Sequence, residues 1–164
     1  MKNKEQYFQQ IYEQLKDKIY RLCLGFMGNK SDADDLYQEV LIKIWRNLEN
    51  FRNESNINTW VYRITTNTAL FTLNKENKLN KKNRDFKAIE QPTEIENFET
   101  SVNEQRIKNL YKAISTLKEI DRIIIGLLLE ECSYAQISNI TGISISNVGV
   151  RISRIKKSLN KKLK

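Results

Sequence analysis

Apolar residues recur along most of this chain at spacings of three and four, which places their side chains on one face of an α-helix. Such runs cover residues 8–26, 36–48, 60–73 and 107–117. Residues 120–129 are almost all apolar, which predicts a helix buried on most of its sides. Glycine is scarce and Pro92 is the single proline. The pattern therefore predicts an all-α protein.

The segment from Ser133 to Leu159 predicts two short helices with a tight turn between them. Ser133 and Gln136 have the spacing of a capping box, Gly142 can close the first helix in the left-handed conformation, and Ser144 is an N-cap for the second. From there, apolar residues continue at alternating steps of three and four: Ile145, Val148, Ile152, Ile155 and Leu159. Two helices joined in this way form a helix-turn-helix.

The face of the second helix opposite this apolar stripe is polar and basic. It carries Ser146, Val150, Ser153, Arg154 and Lys157, with Asn147 and Arg151 on its flank. Past Ile145 the chain has no acidic residue. A solvated basic end of a structural helix is the simpler interpretation. The lack of acidic partners and the outward valine instead favour a helix that lies in the major groove of DNA.

The second predicted helix has an acidic beginning and a mixed outer face. Ser31 with Asp34 predicts the N-cap of this helix. Its inward side carries Leu36, Val40, Ile44 and Leu48. Its outward side then carries Asp35, Gln38, Glu39, Ile42 and Arg46. Asp32, Asp35 and Glu39 share one face, but one turn of acids more often complements the helix dipole than holds a metal. We therefore predict no metal site and no cofactor. An isoleucine ringed by polar residues also suits a protein contact.

A polar segment with aromatic residues at both ends separates the second and third helices. It contains Phe51, Arg52, Ser55 and Asn56, and the third helix, predicted to begin near Thr59, adds Trp60, Arg63 and Asn67. Trp60 is also a candidate for an ordinary core residue. Aromatic rings interleaved with arginine and asparagine are nevertheless suited to stacking and hydrogen-bonding unpaired bases.

Charge and composition limit the classes of function. The net charge of +8 favours a polyanionic partner. The sequence contains neither a glycine-rich phosphate loop nor a nucleophile–base pair, so no motif in it predicts an enzyme. With no histidine, Cys23 and Cys132 suit buried, reduced thiols in a cytoplasmic protein better than a zinc site. No apolar run is long enough for membrane insertion, and the N-terminal residues do not form a secretion signal.

The charge pattern also divides the chain. A basic stretch at 74–84 gives way to acidic residues around Pro92, with few large apolar side chains. We predict two small helical domains, residues 1–80 and 103–164, joined by a flexible acidic linker at 81–102.

Taken in order, these segments resemble a known family. The motifs are DADDLYQEV from Asp32, FRNESNINTWVYRI from Phe51, LKEIDR from Leu117 and SYAQISNITGIS from Ser133. Their order and intervals are similar to those of the bacterial sigma factors of the extracytoplasmic-function type, across nearly the whole chain.

The resemblance implies a function for each site. The outer face of the second helix would bind the clamp of bacterial core RNA polymerase. The segment from Phe51 with Trp60, Arg63 and Asn67 would recognise and melt the promoter −10 element, and the basic face of the last helix would read the −35 element. An anti-sigma factor is a further candidate partner. The alternative is a stand-alone helix-turn-helix regulator, which would leave the first domain's exposed features without a role.

Overall fold

A computed structural model describes residues 2–82 and 101–164, except for the side chains of Lys2 and of residues 80–82. This part of the chain is helical, as the apolar spacing predicts, and contains no strand. Its α-helices are α1 (Lys2–Met27), α2 (Lys30–Asn47), α3 (Ile57–Lys82), α4 (Val102–Ser115), α5 (Glu119–Leu129), α6 (Tyr134–Thr141) and α7 (Ile145–Leu163). A single 3-10 turn, Leu48–Asn50, follows α2.

Two helices begin earlier than the sequence predicts. The N-cap of α2 is Asn29 and not Ser31, because the Asn29 side chain accepts a hydrogen bond of 2.9 Å from the backbone N–H of Asp32. The third helix begins at Ile57, and Asn56 accepts a 2.9 Å hydrogen bond from the N–H of Asn58. Asparagine is as favourable as serine at the N-cap position, so the sequence contains several neighbouring N-cap candidates. The local geometry decides which of them caps the helix.

The long helix α1 is the centre of the molecule. It packs against α2 and α3 on one side and against α4 and α5 on the other. The buried side chains of α1 are Ile11, Leu15, Ile19, Leu22, Cys23 and Phe26. They belong to one hydrophobic core that runs from α2 through α1 to the helix-turn-helix. The two halves of the chain therefore share a continuous core.

A close helix contact joins the halves at the C-terminal part of α1. Gly126 of α5 lies against Leu22, so near that an added Cβ would be 3.1 Å from Leu22 Cδ2 and 3.8 Å from Phe26 Cε1. Gly28 ends α1 with φ +80°, and an added Cβ there would be 2.4 Å from Cβ of Ser115. Small residues at these points let the backbones approach as closely as the core requires.

Charged groups surround this apolar contact. Arg21 of α1 donates two hydrogen bonds, of 2.7 and 2.8 Å, to the two carboxylate oxygens of Glu130, whose side chain is 5% exposed. Arg122 of α5 donates to the carbonyl of Phe26 at 2.9 Å and so satisfies a free acceptor in the last turn of α1. A bidentate arginine–carboxylate pair is among the stronger polar contacts in proteins.

The predicted division into domains at 1–80, 81–102 and 103–164 stays a prediction, because most of the linker, residues 83–100, lies outside the described residues. Within the described residues, α3 continues to Lys82 and α4 starts at Val102. The end of α3 is therefore close to the predicted domain end at 80, and the start of α4 is close to the predicted domain start at 103.

The Arg21–Glu130 pair predicts a charge-reversal result. Glu130→Arg should lower the free energy of unfolding by about 3 kcal/mol, because it leaves two cations facing each other at a largely buried site. The double variant Arg21→Glu/Glu130→Arg should recover at least half of that loss. Urea unfolding followed by circular dichroism measures both.

The exposed pair Glu39–Lys43, at 3.5 Å, provides the control. Reversing Glu39 to Arg should cost less than about 1 kcal/mol, as is usual for surface ion pairs. A double variant at the Arg21–Glu130 pair that is no more stable than Glu130→Arg alone would contradict a direct interaction across the two halves.

Candidate nucleic-acid interface

The helix-turn-helix forms from the local signals in the sequence. Ser133 and Gln136 make both hydrogen bonds of the capping box, at 3.1 and 2.8 Å. Gly142 has φ +79° and closes α6, and the hydroxyl of Ser144 accepts from the N–H of Asn147 at the start of α7. These caps fix where each helix ends, and therefore the length of the turn between them.

The inner stripe of α7 is buried except at its first member. Val148, Ile152, Ile155 and Leu159 all lie in the core, as predicted. Ile145 is 54% exposed, so its predicted place on the buried stripe is wrong. It stands at the first position of α7, ahead of the four stripe residues that reach the core. Gly149 faces Tyr134 of α6, and a Cβ added to Gly149 would lie 3.5 Å from Cε2 of the tyrosine ring.

The predicted −35 residues lie on one accessible side of α7, with one exception. Six of the seven are exposed: Ser146, Asn147, Val150, Ser153, Arg154 and Lys157. Val150 is an apolar side chain in water, at 49% exposure. Arg151 is half-buried, and its Nη1 donates to Asp121 of α5 at 3.0 Å. The exposed set has the cations, hydroxyls and apolar group that contact phosphates, base edges and thymine methyl groups.

Five of the seven predicted −10 residues meet in one pocket. Phe51, Arg52, Ser55, Trp60 and Arg63 line a cavity of about 360 Å³ together with Asn50, Glu54 and Asn139. The rings of Phe51 and Trp60 lie 5.2 Å apart and are tilted by 47°. An aromatic wall with arginine, hydroxyl and amide groups around it can stack a planar base and hydrogen-bond its edge.

The other two predicted −10 residues do not line this pocket. The Asn56 side chain caps α3, so its acceptor is already used by the helix start. Asn67 is exposed two turns further along α3. The sequence spacing places all seven residues on neighbouring segments. It does not show which of their side chains caps the start of α3 and is therefore unavailable to the pocket.

A residue of the other half completes the pocket. Arg63 of α3 donates through Nη2 to both the side-chain oxygen and the backbone carbonyl of Asn139 in α6. Asn139 is a pocket residue that the sequence does not predict, because no local pattern links it to a residue 76 positions earlier. The arrangement brings the predicted −10 and −35 regions into direct contact.

The predicted polymerase-binding residues share one open side of α2. Asp35, Gln38, Ile42 and Arg46 are exposed and Glu39 is partly exposed. Ile42 has 49% of its surface exposed, while Ile44, two positions along, has none. Nearby, Lys43 lies 5.6 Å from the ring centre of Phe71, a second exposed apolar residue. The face combines a small apolar group with a charged surround, which is typical of a protein contact.

The two cysteines are buried as free thiols. Burial raises the pKa of Cys23 to about 12 and that of Cys132 to about 11, so both thiols stay protonated and unreactive near neutral pH. No group of three metal-ligating side chains comes together in residues 2–82 and 101–164. Across the same residues, no helix combines the length and the apolar character needed to cross a bilayer.

Comparison with known families accounts for both halves of the chain. Residues 11–79 match the family described as Sigma-70 region 2, and residues 107–159 match Sigma-70, region 4. The first match ends three residues before the end of α3, and the second begins within α4 and ends within α7.

Individual proteins are similar over nearly the full length. The ECF RNA polymerase sigma factor SigW of Bacillus subtilis is 28% identical, over 96% of this chain and 89% of its own length. The RNA polymerase sigma factor SigV of the same organism is 30% identical, over 85% of this chain and 80% of its own.

Solved structures share the fold. The sigma factor RpoE of Bartonella quintana, in complex with the anti-sigma factor NepR, superposes with a TM-score of 0.78 at 22% identity, covering 95% of this chain and 96% of that one. CnrH, in complex with the cytosolic domain of CnrY, gives 0.68 at 18% identity, covering 97% and 88%. The two matched regions and the full-length relatives agree, and this chain belongs to the ECF RNA polymerase sigma factors.

Proposed function

We propose that this chain is a promoter-specificity subunit that binds bacterial core RNA polymerase, recognises promoter DNA and directs transcription initiation in the cytoplasm. The observation that carries this function is the presence of both sigma-70 regions, in order, in a chain that aligns with nearly the whole of SigW. The chain itself contributes recognition, and the polymerase supplies the catalysis.

The proposed division of labour follows the two kinds of exposed surface. The basic side of α7 would read the −35 element, where Arg154 and Lys157 can meet base edges and phosphates. The open side of α2, centred on Ile42, would bind the polymerase clamp. A stand-alone regulator would use the first surface and leave the second without a partner.

The pocket around Trp60 would hold an unpaired base of the −10 element. In the arrangement of the described residues, Arg63 is engaged by Asn139, so one pocket wall belongs to the −35 half. We therefore expect the two halves to move apart when the chain joins the polymerase and promoter. An anti-sigma factor is a further candidate partner, because the structurally similar RpoE of Bartonella quintana was solved in complex with the anti-sigma factor NepR.

Reconstitution with bacterial core polymerase tests the function as a whole. The complex should start transcription at defined sites that core polymerase alone does not use. Arg154→Ala should lower initiation at these sites by about fivefold or more, because loss of a base contact costs about 1–3 kcal/mol. Lys161→Ala, beyond the groove-facing turns, should weaken all promoters about equally. A chain that binds duplex DNA but directs no defined start would instead be a regulator of the stand-alone type.

The exposed face of α2 predicts an effect on polymerase binding without loss of folding. Ile42→Asp should leave helicity and thermal midpoint nearly unchanged and weaken binding to core polymerase by at least about 1.4 kcal/mol, or tenfold. Fluorescence anisotropy of the labelled chain measures the affinity.

Ile44→Asp is the matched control on the same helix. Its side chain is fully buried, so the charge should unfold the chain or lower the midpoint by many degrees. A similar fall in the midpoint for Ile42→Asp would mean that Ile42 supports the core, and unchanged polymerase affinity would exclude this face from the interface.

The −10 pocket predicts a separation between folding and promoter melting. The double variant Arg52→Ala/Ser55→Ala removes two polar pocket walls that no helix end requires, so stability should hold. The fraction of open complex should fall by about tenfold, the loss expected for a hydrogen bond to a charged group. Permanganate reactivity of unpaired thymines measures the opening.

Asn56→Ala gives the comparison, because Asn56 caps α3. It should lower the free energy of unfolding by about 1 kcal/mol, the usual cost of losing an N-cap. Normal permanganate reactivity with Arg52→Ala/Ser55→Ala would show that the pocket does not hold the base.

A further inference from the structure

A basic cleft lies between the start of α5 and the flank of α7. Its volume is about 490 Å³, and its charged lining residues are Lys118, Arg151, Arg154, Lys162 and Asp121. Four cations therefore face one carboxylate across a single groove. Such an excess of positive charge at short range attracts an anion, and it costs free energy when no anion is present.

The single carboxylate is tied to one of these cations. Asp121 Oδ1 accepts from Arg151 Nη1 at 3.0 Å, and the two side chains are 22% and 33% exposed. Within the described residues, Arg151 Nε is buried and has no hydrogen-bond partner. Asp121 therefore holds one end of a guanidinium whose Nε has no hydrogen-bond partner among the described residues. An arginine held in this way is already ordered before a ligand arrives.

The cleft continues the basic face of α7 without a break. Asn147 and Arg154 line the cleft and also belong to the exposed residues predicted to read the −35 element. A helix in the major groove has a phosphate backbone along each of its flanks, and most protein–DNA hydrogen bonds go to those phosphates. The flank that carries Arg151 points toward Lys118, which is exposed at the N-terminal end of α5.

We infer that this cleft binds a backbone phosphate of the −35 duplex, with Lys118 as a direct contact and Asp121 as a positioning residue for Arg151. The inference rests on the proposed function. It adds Lys118, at the N-cap of α5, and Asp121 of α5 to a site so far assigned to α7. Asp121 acts through Arg151, since a carboxylate in direct contact with a phosphate would repel it.

The salt dependence of DNA binding tests the phosphate contact. The full chain is titrated with a short duplex of random sequence between about 50 and about 200 mM salt, and the slope of log Kobs against log salt is measured. Each phosphate contact contributes about 0.9 to this slope, so Lys118→Gln should reduce its magnitude by about 0.9.

Lys30→Gln is the control, because it removes one charge from an exposed lysine at the start of α2, away from the proposed DNA face. It should change the slope by less than about 0.3. Equal slopes for Lys118→Gln and Lys30→Gln, or no measurable duplex binding by the wild-type chain at the lowest salt, would overturn the phosphate site.

The direction in which DNA affinity changes when the charge of Asp121 is removed tests the role of this residue. Removing an acid near DNA tightens binding when only the overall charge matters. Asp121→Asn should instead weaken duplex binding by about fivefold, because Arg151 loses its fixed orientation. In an Arg151→Gln background the same change should tighten binding, since nothing remains to be positioned.

Glu119→Gln is matched to Asp121→Asn. Both acids lie in the first turn of α5, but Glu119 accepts from Asn77 of α3 and does not line the cleft. This control should tighten binding slightly, and thermal midpoints verify that all variants fold. If Asp121→Asn tightened binding in both backgrounds, Asp121 would have no positioning role.

These measurements use duplex binding alone, and transcription from defined start sites is a separate readout. A chain that selects start sites but shows no change with Lys118→Gln keeps the proposed function and loses the cleft. A chain with the predicted slopes but no start-site selection keeps the cleft and loses the function.

Discussion

The packing of α1 against α5 is the contact on which the rest of this structure depends. Leu22 and Phe26 meet α5 at Gly126, where even a methyl group would lie 3.1 Å from Leu22 Cδ2. This contact joins the core of the first half to that of the helix-turn-helix. Tight apolar packing requires a fixed register between the helices. Arg21 and Arg122 supply that register by binding Glu130 and the end of α1.

The same contact decides which functional groups are accessible. It brings α3 beside α6, so that Arg63 binds Asn139 and the pocket around Trp60 gains a wall from the other half. The basic side of α7 and the mixed side of α2 remain open to solvent. The proposed function uses all three surfaces during initiation. The contact between the halves leaves the proposed polymerase and −35 faces open while it engages a residue of the proposed −10 pocket.

The charges on the exposed faces of α7 and α2 favour different partners. In α7 the cations have no acidic neighbour along the helix, and the one carboxylate that approaches them, Asp121, comes from α5. In α2 the exposed acids Asp35 and Glu39 surround Ile42. A polyanion is attracted to the first surface and repelled by the acids of the second, which favours a protein partner there. The net charge of +8 alone does not reveal this division.

Local sequence signals predict the helices, apart from two of their starting residues, together with the helix-turn-helix and the outward faces of α2 and α7. These follow from signals within a few residues: the 3.6-residue period, the capping box at Ser133 and the left-handed Gly142. Tertiary structure alone decided the pairings of Arg63 with Asn139, Arg21 with Glu130 and Arg151 with Asp121, each across at least 30 positions. It also left Ile145 exposed, although the apolar spacing predicts that this residue is buried. Periodicity reports which face of a helix is apolar. Which residue of another helix meets that face depends on how the whole core closes.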